Sequence, residues 1–377
     1  MKLTCHQEKL NRGLAIVGRA VATRTTLPIT NNVLLATDNG GLKLVATNLE
    51  MAISCWIGAE IEEEGAITVP ARLLTEFVSS LPNETIEVNL SPQTKTLNLK
   101  CARFEARISG VDAGEFPPIP GVDDGIHTKV DVDALKQAVN QVVFAAATEE
   151  SRPVLTGIST KFEGSTLTLA AADGFRLAVY KLPIADAVSE TTEVIIPART
   201  MAELNRLMAD QEEPVDITLN PAKSQVLFKT KNAELVSQLV QGTFPNYSQL
   251  IPQGYETRVI ISVDEFLRAT RTASIFARDG SGIVRLMVTP GSESGPGKLS
   301  VSARSEEIGD DVGEIDATVE GDETKIAFNG KYLTDVLSVL HESQVALEVT
   351  NPSSPGLLRP VGVDNYLHVV MPMFIQW

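Results

Sequence analysis

The sequence predicts an α+β fold made of three copies of one unit, each an antiparallel sheet carrying two helices on one face. Two observations carry that prediction. The segments GLKLVATN (41–48), STLTLAAAD (165–173) and GKLSVSAR (297–304) alternate apolar with other residues, the period of a half-buried strand, and aligning Leu42 with Leu167 and Leu299 gives offsets of 125 and 132 residues. The segments VPARLLTEFVSSL, IPARTMAELNRLM and FNGKYLTDVLSVL recur at nearly the same interval, with Pro70, Pro197 and Asn329 in register at offsets of 127 and 132. That period is too long for the common solenoids, so the copies are expected to be domains, over 1–122, 128–253 and 258–377.

Within each copy the elements follow one order. A helix opens it, because Leu10, Leu14, Val17 and Val21, then Leu135, Val139, Val142 and Ala146, then Phe266, Thr270, Ala273 and Ala277 share helical spacing and define one packed face. Asp133 and Asp264 each follow a Val at the start of such a segment, where a side-chain oxygen can cap the free N–H groups of the first turn. Strands come next, then a second helix behind the Pro or Asn landmark, then more strands. The Phe-Pro pairs of EFPPIP (115–120) and TFPNYSQLIP (243–252), 128 residues apart, punctuate the ends of copies one and two. Helices are expected over 7–24, 71–81, 133–148, 199–209, 264–278 and 331–341.

With 377 residues, 43% apolar and 21% charged, the chain can fill two or three cored domains and does not read as disordered or fibrous. The start, MKLTCHQEKL, lacks the apolar stretch of a signal peptide, and no run approaches the roughly 20 apolar residues of a membrane span, so a cytoplasmic location without a membrane partner is expected. Cys5, Cys55 and Cys101 have neither metal-ligand spacing nor an even count, which points to buried, reduced thiols.

A search for catalytic chemistry finds none. GSESGPGK (291–298) misses the phosphate-loop pattern, since Ser292 stands where its first Gly belongs and Leu299 replaces the required hydroxyl residue. His6, His127, His341 and His368 are scattered singly, and the acidic runs EIEEEG (60–65) and SEEIGDD (305–311) read as solvated loops. No catalytic residue, metal or cofactor is predicted.

The net charge is −16, which opposes a polyanionic partner if charge is only summed. Its distribution is uneven. The six expected helices hold 12 Lys or Arg against 7 Asp or Glu, and the first carries Lys9, Arg12, Arg19 and Arg24 against Glu8 alone. Two readings stay open: a solvated surface, or a basic helical face that attracts nucleic-acid phosphates while the rest of the exterior repels them. Without an aromatic platform or a recognition helix, such binding would ignore base sequence.

In AADGFRLA (171–178) an Asp-Gly pair lies between apolar runs, a strong hairpin signal because Gly accepts positive φ. At the positions matching Gly174 and Arg176, the corresponding stretches TNLEMAI and ARSEEIG have neither a Gly nor an Arg, so copy two differs at this turn. Taken in order, TLPITNNVLL, VPAR, AADGFRLAV, FPNY and the late VVMPM resemble the bacterial DNA polymerase III β subunit, the sliding clamp family, over essentially the whole chain.

That resemblance implies a head-to-tail homodimer, a ring of six domains whose helices line a hole for duplex DNA. Twelve helices at ~10 Å each trace a circle of about 38 Å and leave a hole of roughly 28 Å, enough for a duplex. It implies a processivity factor without a catalytic site, serving the DNA polymerase III catalytic subunit, a clamp loader and other clamp-motif proteins. Carried over residue by residue, Arg24, Arg72, Arg152 and Arg199 would face DNA. A pocket for a Gln- and Leu-containing peptide would be lined by Leu155, Gly174, Phe175, Arg176, Leu177, Pro245, Leu250, Val370, Met371, Pro372 and Met373, with Arg176 bonding a peptide carbonyl. Ring closure would set Phe104 and Ile108 against Ile275 and Phe276 of the next subunit. Phe175 stands where the family often has His, and Phe374-Ile375-Gln376-Trp377 extend the tail, so an altered peptide affinity is expected. Two other classes remain open at this point: a hydrolase with a site in an interdomain cleft, and a repeated scaffold without a DNA role.

Overall fold

The computed structural model describes residues 1–23, 25–277, 282–293 and 295–376. Among the described residues six α-helices form: α1 (Gln7–Val17), α2 (Ala71–Ser80), α3 (Val132–Val142), α4 (Ala198–Leu207), α5 (Val263–Phe276) and α6 (Gly330–Leu337). Of the twelve stripe residues eleven are buried and Val21 is half-buried. The helices end earlier than the periodicity predicts. Past α1 the chain tightens into a 3₁₀ turn at Gly18–Ala20, and past α3 it does the same at Val143–Ala145, so Ala20 and Ala145 are buried from non-α backbone.

The two capping expectations shift by one or two residues. Asp133 and Asp264 lie inside the first turns of α3 and α5, and α5 is capped by Ser262, whose Oγ accepts from the Glu265 N–H. An acid in the first turn still complements the positive end of the helix dipole, which is why the sequence signal looks the same for both positions.

Among the described residues the strands build three sheets, and every register is antiparallel. Five strands run in the order Glu60–Glu63, Lys2–His6, Thr85–Ser91, Thr96–Cys101, Phe104–Ser109. Eight run Ile126–Val130, Val215–Leu219, Gln225–Lys229, Ala233–Gln238, Met51–Ile57, Gly41–Thr47, Asn32–Asp38, Ala66–Pro70. Ten run Gly157–Ala172, Arg176–Pro197, Tyr366–Val370, Gly356–Pro360, Gln344–Val349, Thr257–Ser262, Gly309–Gly321, Gly297–Ser305, Ile283–Thr289, Thr324–Asn329.

Two compact units result. One comprises Met1–Val132, Ile184–Val188 and Arg199–Leu239; in it α1 packs beside α2. The other comprises Asp133–Pro183, Ser189–Ala198 and Val240–Trp377; in it α5 packs beside α6. Strands of the middle copy are therefore shared out: some extend the sheet of copy one, others the sheet of copy three. Cys5, Cys55 and Cys101 are free and buried, and burial pushes the Cys5 thiol up to about 12 and the Cys55 thiol to about 11, which leaves little reactive thiolate. Among the described residues no helix is long and apolar enough to cross a membrane.

The repeat extends to hydrogen bonds. In copy two the Asp173 carboxylate accepts from the Phe175 and Arg176 N–H groups at 2.9 and 3.0 Å, and Gly174 takes φ +95°. In copy one the Asn48 side-chain oxygen Oδ1 accepts from the Glu50 and Met51 N–H groups at 3.0 and 2.9 Å, and Leu49 takes φ +76°. The turn is the same, but Leu pays a steric penalty of ~1–2 kcal/mol that Gly avoids. Leu49 is 52% exposed, so little burial offsets that cost. Leu49→Gly is therefore expected to raise stability by about 0.5–1 kcal/mol after the extra unfolded-state entropy of Gly, read as a higher denaturant midpoint with unchanged slope.

Candidate functional site

The second unit gathers most of the residues singled out for peptide binding. The 173–176 turn closes the hairpin of strands Gly157–Ala172 and Arg176–Pro197. Strand Tyr366–Val370 pairs with the latter, placing Val370 opposite Arg176 and Val369 opposite Leu177, and the Met371 N–H donates to the Phe175 carbonyl at 2.8 Å. Beneath the turn Leu155, Leu177, Val369 and Phe244 are buried in one apolar cluster. Val154, Tyr247, Ile251 and Leu367 pack against that cluster while staying partly open to solvent. Phe244 and Tyr247 meet edge to face with ring centres 6.2 Å apart, which fixes the wall on which exposed Pro245 sits.

Exposed Leu250 and Met371 line a cleft of about 530 Å³ together with Pro252, Tyr255, Thr350 and Pro355. Pro372 is buried, and the Met373 N–H donates to the Ala327 carbonyl at 2.8 Å, so the tail continues along strand Thr324–Asn329. An Arg285 guanidinium nitrogen lies 3.4 Å from the Gln376 carbonyl, and Phe374 is 81% exposed. Phe175 is exposed as well, its ring stacked on Tyr332 at 6.4 Å.

Arg176 differs from the sequence expectation of a side chain turned toward a ligand. Its side chain is only 8% exposed. Nε donates to Asp173 at 3.0 Å, Nη1 to Asp335 at 2.7 Å and Nη2 to the Phe144 carbonyl at 2.8 Å, while the guanidinium lies over the Tyr332 and Phe144 rings at 4.5 and 5.4 Å. Sequence reasoning missed Phe144, Tyr332 and Asp335. The three-residue spacing of Tyr332 and Asp335, which puts both on one face of α6, was the one available signal.

Near Arg176 the His368 ring nitrogens and the Tyr366 hydroxyl, both fully buried, have no hydrogen-bond partner among the described residues. Burial, helped by the Arg176 charge, lowers the His368 pKa to about 3, so the ring is neutral at pH 7. Burial likewise raises the Tyr366 pKa, keeping that hydroxyl protonated.

Arg24 lies outside the described residues. Arg72 projects from the first turn of α2 and pairs with Glu76 at 2.7 Å, and Arg199 is exposed on α4. Arg152 donates to the Asp173 carbonyl at 3.2 Å, beside the turn. In the first unit a cleft of about 460 Å³ separates α1 from α4 and is bordered by Lys9, Arg12, Arg19 and Arg206. Arg12 pairs with Asp210 at 2.8 Å, and Arg19 and Arg206 approach Glu203 at 3.6 and 2.5 Å, so four cations meet two carboxylates and the cleft keeps a positive excess.

Of the residues suggested for ring closure, Phe104 is 53% exposed at the head of edge strand Phe104–Ser109, Ile275 is exposed on α5, and Phe276 is half-buried. Ile108 does not fit that role. Its side chain is buried opposite Leu97, because alternation along the strand turns it into the core of its own sheet.

The chain matches three family descriptions in succession: DNA polymerase III beta subunit, N-terminal domain over residues 1–120, central domain over 129–246, and C-terminal domain over 248–374. It is 33% identical over 383 residues to the beta sliding clamp of Bacillus subtilis, covering 99% of both chains. To that of Staphylococcus aureus it is 35% identical over 366 residues, covering 94% of both. The crystal structure of the B. subtilis DNA polymerase sliding clamp superposes with a TM-score of 0.94 at 31% identity over 100% of both chains. A Pseudomonas aeruginosa clamp solved bound to griselimycin gives 0.92 at 29% identity, again over 100% of both.

Proposed function

Since the chain belongs to the DNA polymerase III β subunit family, the sliding clamps, we infer that it encircles duplex DNA and tethers the replicative polymerase to it. It acts as a processivity factor and not as a catalyst, and base sequence plays no part in its hold on DNA. Two subunits of three domains each, taken as 1–122, 128–253 and 258–377, join head to tail in a ring of six, with exposed Phe104 meeting Ile275 and Phe276 of the next subunit. The protein works in the cytoplasm, where a separate ATP-driven loader opens the ring.

The observation that carries the partner-binding half of this reading is the apolar cluster of Leu155, Leu177, Phe244 and Val369, reached past the half-open side chains of Val154, Tyr247, Ile251 and Leu367. An apolar surface with one hydrogen-bonded edge suits an extended peptide whose aliphatic residue packs against it and whose backbone lies across the turn. Met371 adds an unbranched, adaptable side chain at the rim, fitting a site that serves several partners. The DNA half draws on the basic border of the α1 and α4 cleft within an acidic molecule, since helical cations next to phosphates need only screened, exchangeable contacts if topology prevents escape.

The test is retention. Loaded onto nicked circular DNA, the protein is expected to co-elute with the circle through gel filtration at high salt and to be lost once a restriction enzyme linearises it. Equal loss from circular and linear DNA would defeat the reading, and so would hydrolytic turnover without retention.

A further inference from the structure

We propose that Arg176 is a positioning residue: it pins the 173–176 turn to α6 and to the 3₁₀ turn after α3, making the peptide-binding wall rigid in advance, and it does not itself contact the peptide. This rests on the peptide-binding reading above. Four observations lead here. The guanidinium is buried, whereas a residue that recognises an incoming carbonyl must present free donors to solvent. Its Nε, Nη1 and Nη2 each bond a different element: Asp173 in the turn, Asp335 on α6, and the Phe144 carbonyl in the turn Val143–Ala145. The rings of Phe144 and Tyr332 flank it, so stacking fixes the plane of the fork as well as its position. Finally, what the fork holds is the wall itself. Arg176 faces Val370, Phe175 accepts from the Met371 N–H, and Leu177 enters the apolar cluster, so a shift of this turn would move three of the expected peptide contacts together.

Asp335 is the informative partner. It bonds Arg176 at 2.7 Å and Lys331 at 2.7 Å from the body of α6, and it was never a candidate for peptide contact. Asp335→Asn keeps its shape and removes the charge that orients the fork. If Arg176 acts by positioning, this change should reach the peptide through the turn.

The experiment measures binding of a fluorescent Gln- and Leu-containing clamp-motif peptide by polarisation for the wild type, Asp335→Asn, Arg176→Ala and the double variant. Amide exchange of Phe175, Arg176 and Met371 is followed in the free proteins. Positioning predicts a roughly 5–10-fold loss of affinity for Asp335→Asn, a double variant no weaker than Arg176→Ala alone, and faster exchange of the three amides without peptide. A direct contact predicts Asp335→Asn within twofold of wild type, additive losses and unchanged exchange; any of these overturns the proposal. If the wild type fails to bind the peptide at all, the functional reading fails separately, and the exchange comparison still decides whether Arg176 holds the turn.

Discussion

Met371→Glu is expected to weaken binding of a clamp-motif peptide at least 100-fold while shifting the thermal midpoint by less than about 2 °C. The two halves of that expectation have separate causes. Met371 is 39% exposed, and its link to the turn is a backbone bond from its N–H to the Phe175 carbonyl, so the folded subunit loses almost nothing when the thioether is replaced. In the proposed complex the peptide would cover the same position. A carboxylate taken out of water without a partner costs several kcal/mol, and 100-fold corresponds to about 2.7 kcal/mol, so the desolvation term alone suffices. Isothermal titration beside a melting curve checks both halves, and a loss below tenfold would remove Met371 from the contact surface.

The second large effect concerns acid. The ordinary His pKa of about 6.5 applies to the unfolded chain, whereas burial holds folded His368 at about 3. The unfolded state therefore takes up the proton first as pH falls. Stability from this residue is fully present above about pH 6.5, is lost progressively on acidification, and reaches its floor near pH 3. Between pH 7 and pH 5 the loss amounts to about 2 kcal/mol. His368→Leu, of similar volume and without unpaired ring nitrogens, is expected to remove that part of the slope and to be neutral or mildly stabilising at pH 7. Urea titrations of both proteins at the two pH values give the comparison, and parallel slopes would show that the ring finds a proton acceptor in the folded state.

Much of the fold was legible because its signals are local. The helical stripe from Leu10 to Val17, the hairpin at Asp173 and Gly174, and the threefold offset each depend on residues close together in the chain. The ends of α1 and α3 were not, since a 3₁₀ turn buries the same residues a longer helix would. Ile108 was misjudged because alternation tells which residues share a face but not which face is covered. The candidate site was half legible. Leu155 and Leu177 could be named by resemblance, yet the role of Arg176 depends on Asp335, 159 residues away, and no periodicity links such a pair. The same limit hid the strand sharing of the middle copy, which long-range register decides.

The turn of copy one reproduces that of copy two bond for bond, yet Met51, fully packed, stands where copy two has its buried cation. A thioether cannot bridge three elements, so the turn of copy one lacks the fork that holds the turn of copy two. If that fork makes the second turn a receptor, as proposed, its seat does not recur in copy one, and partners that need it would exchange by displacement.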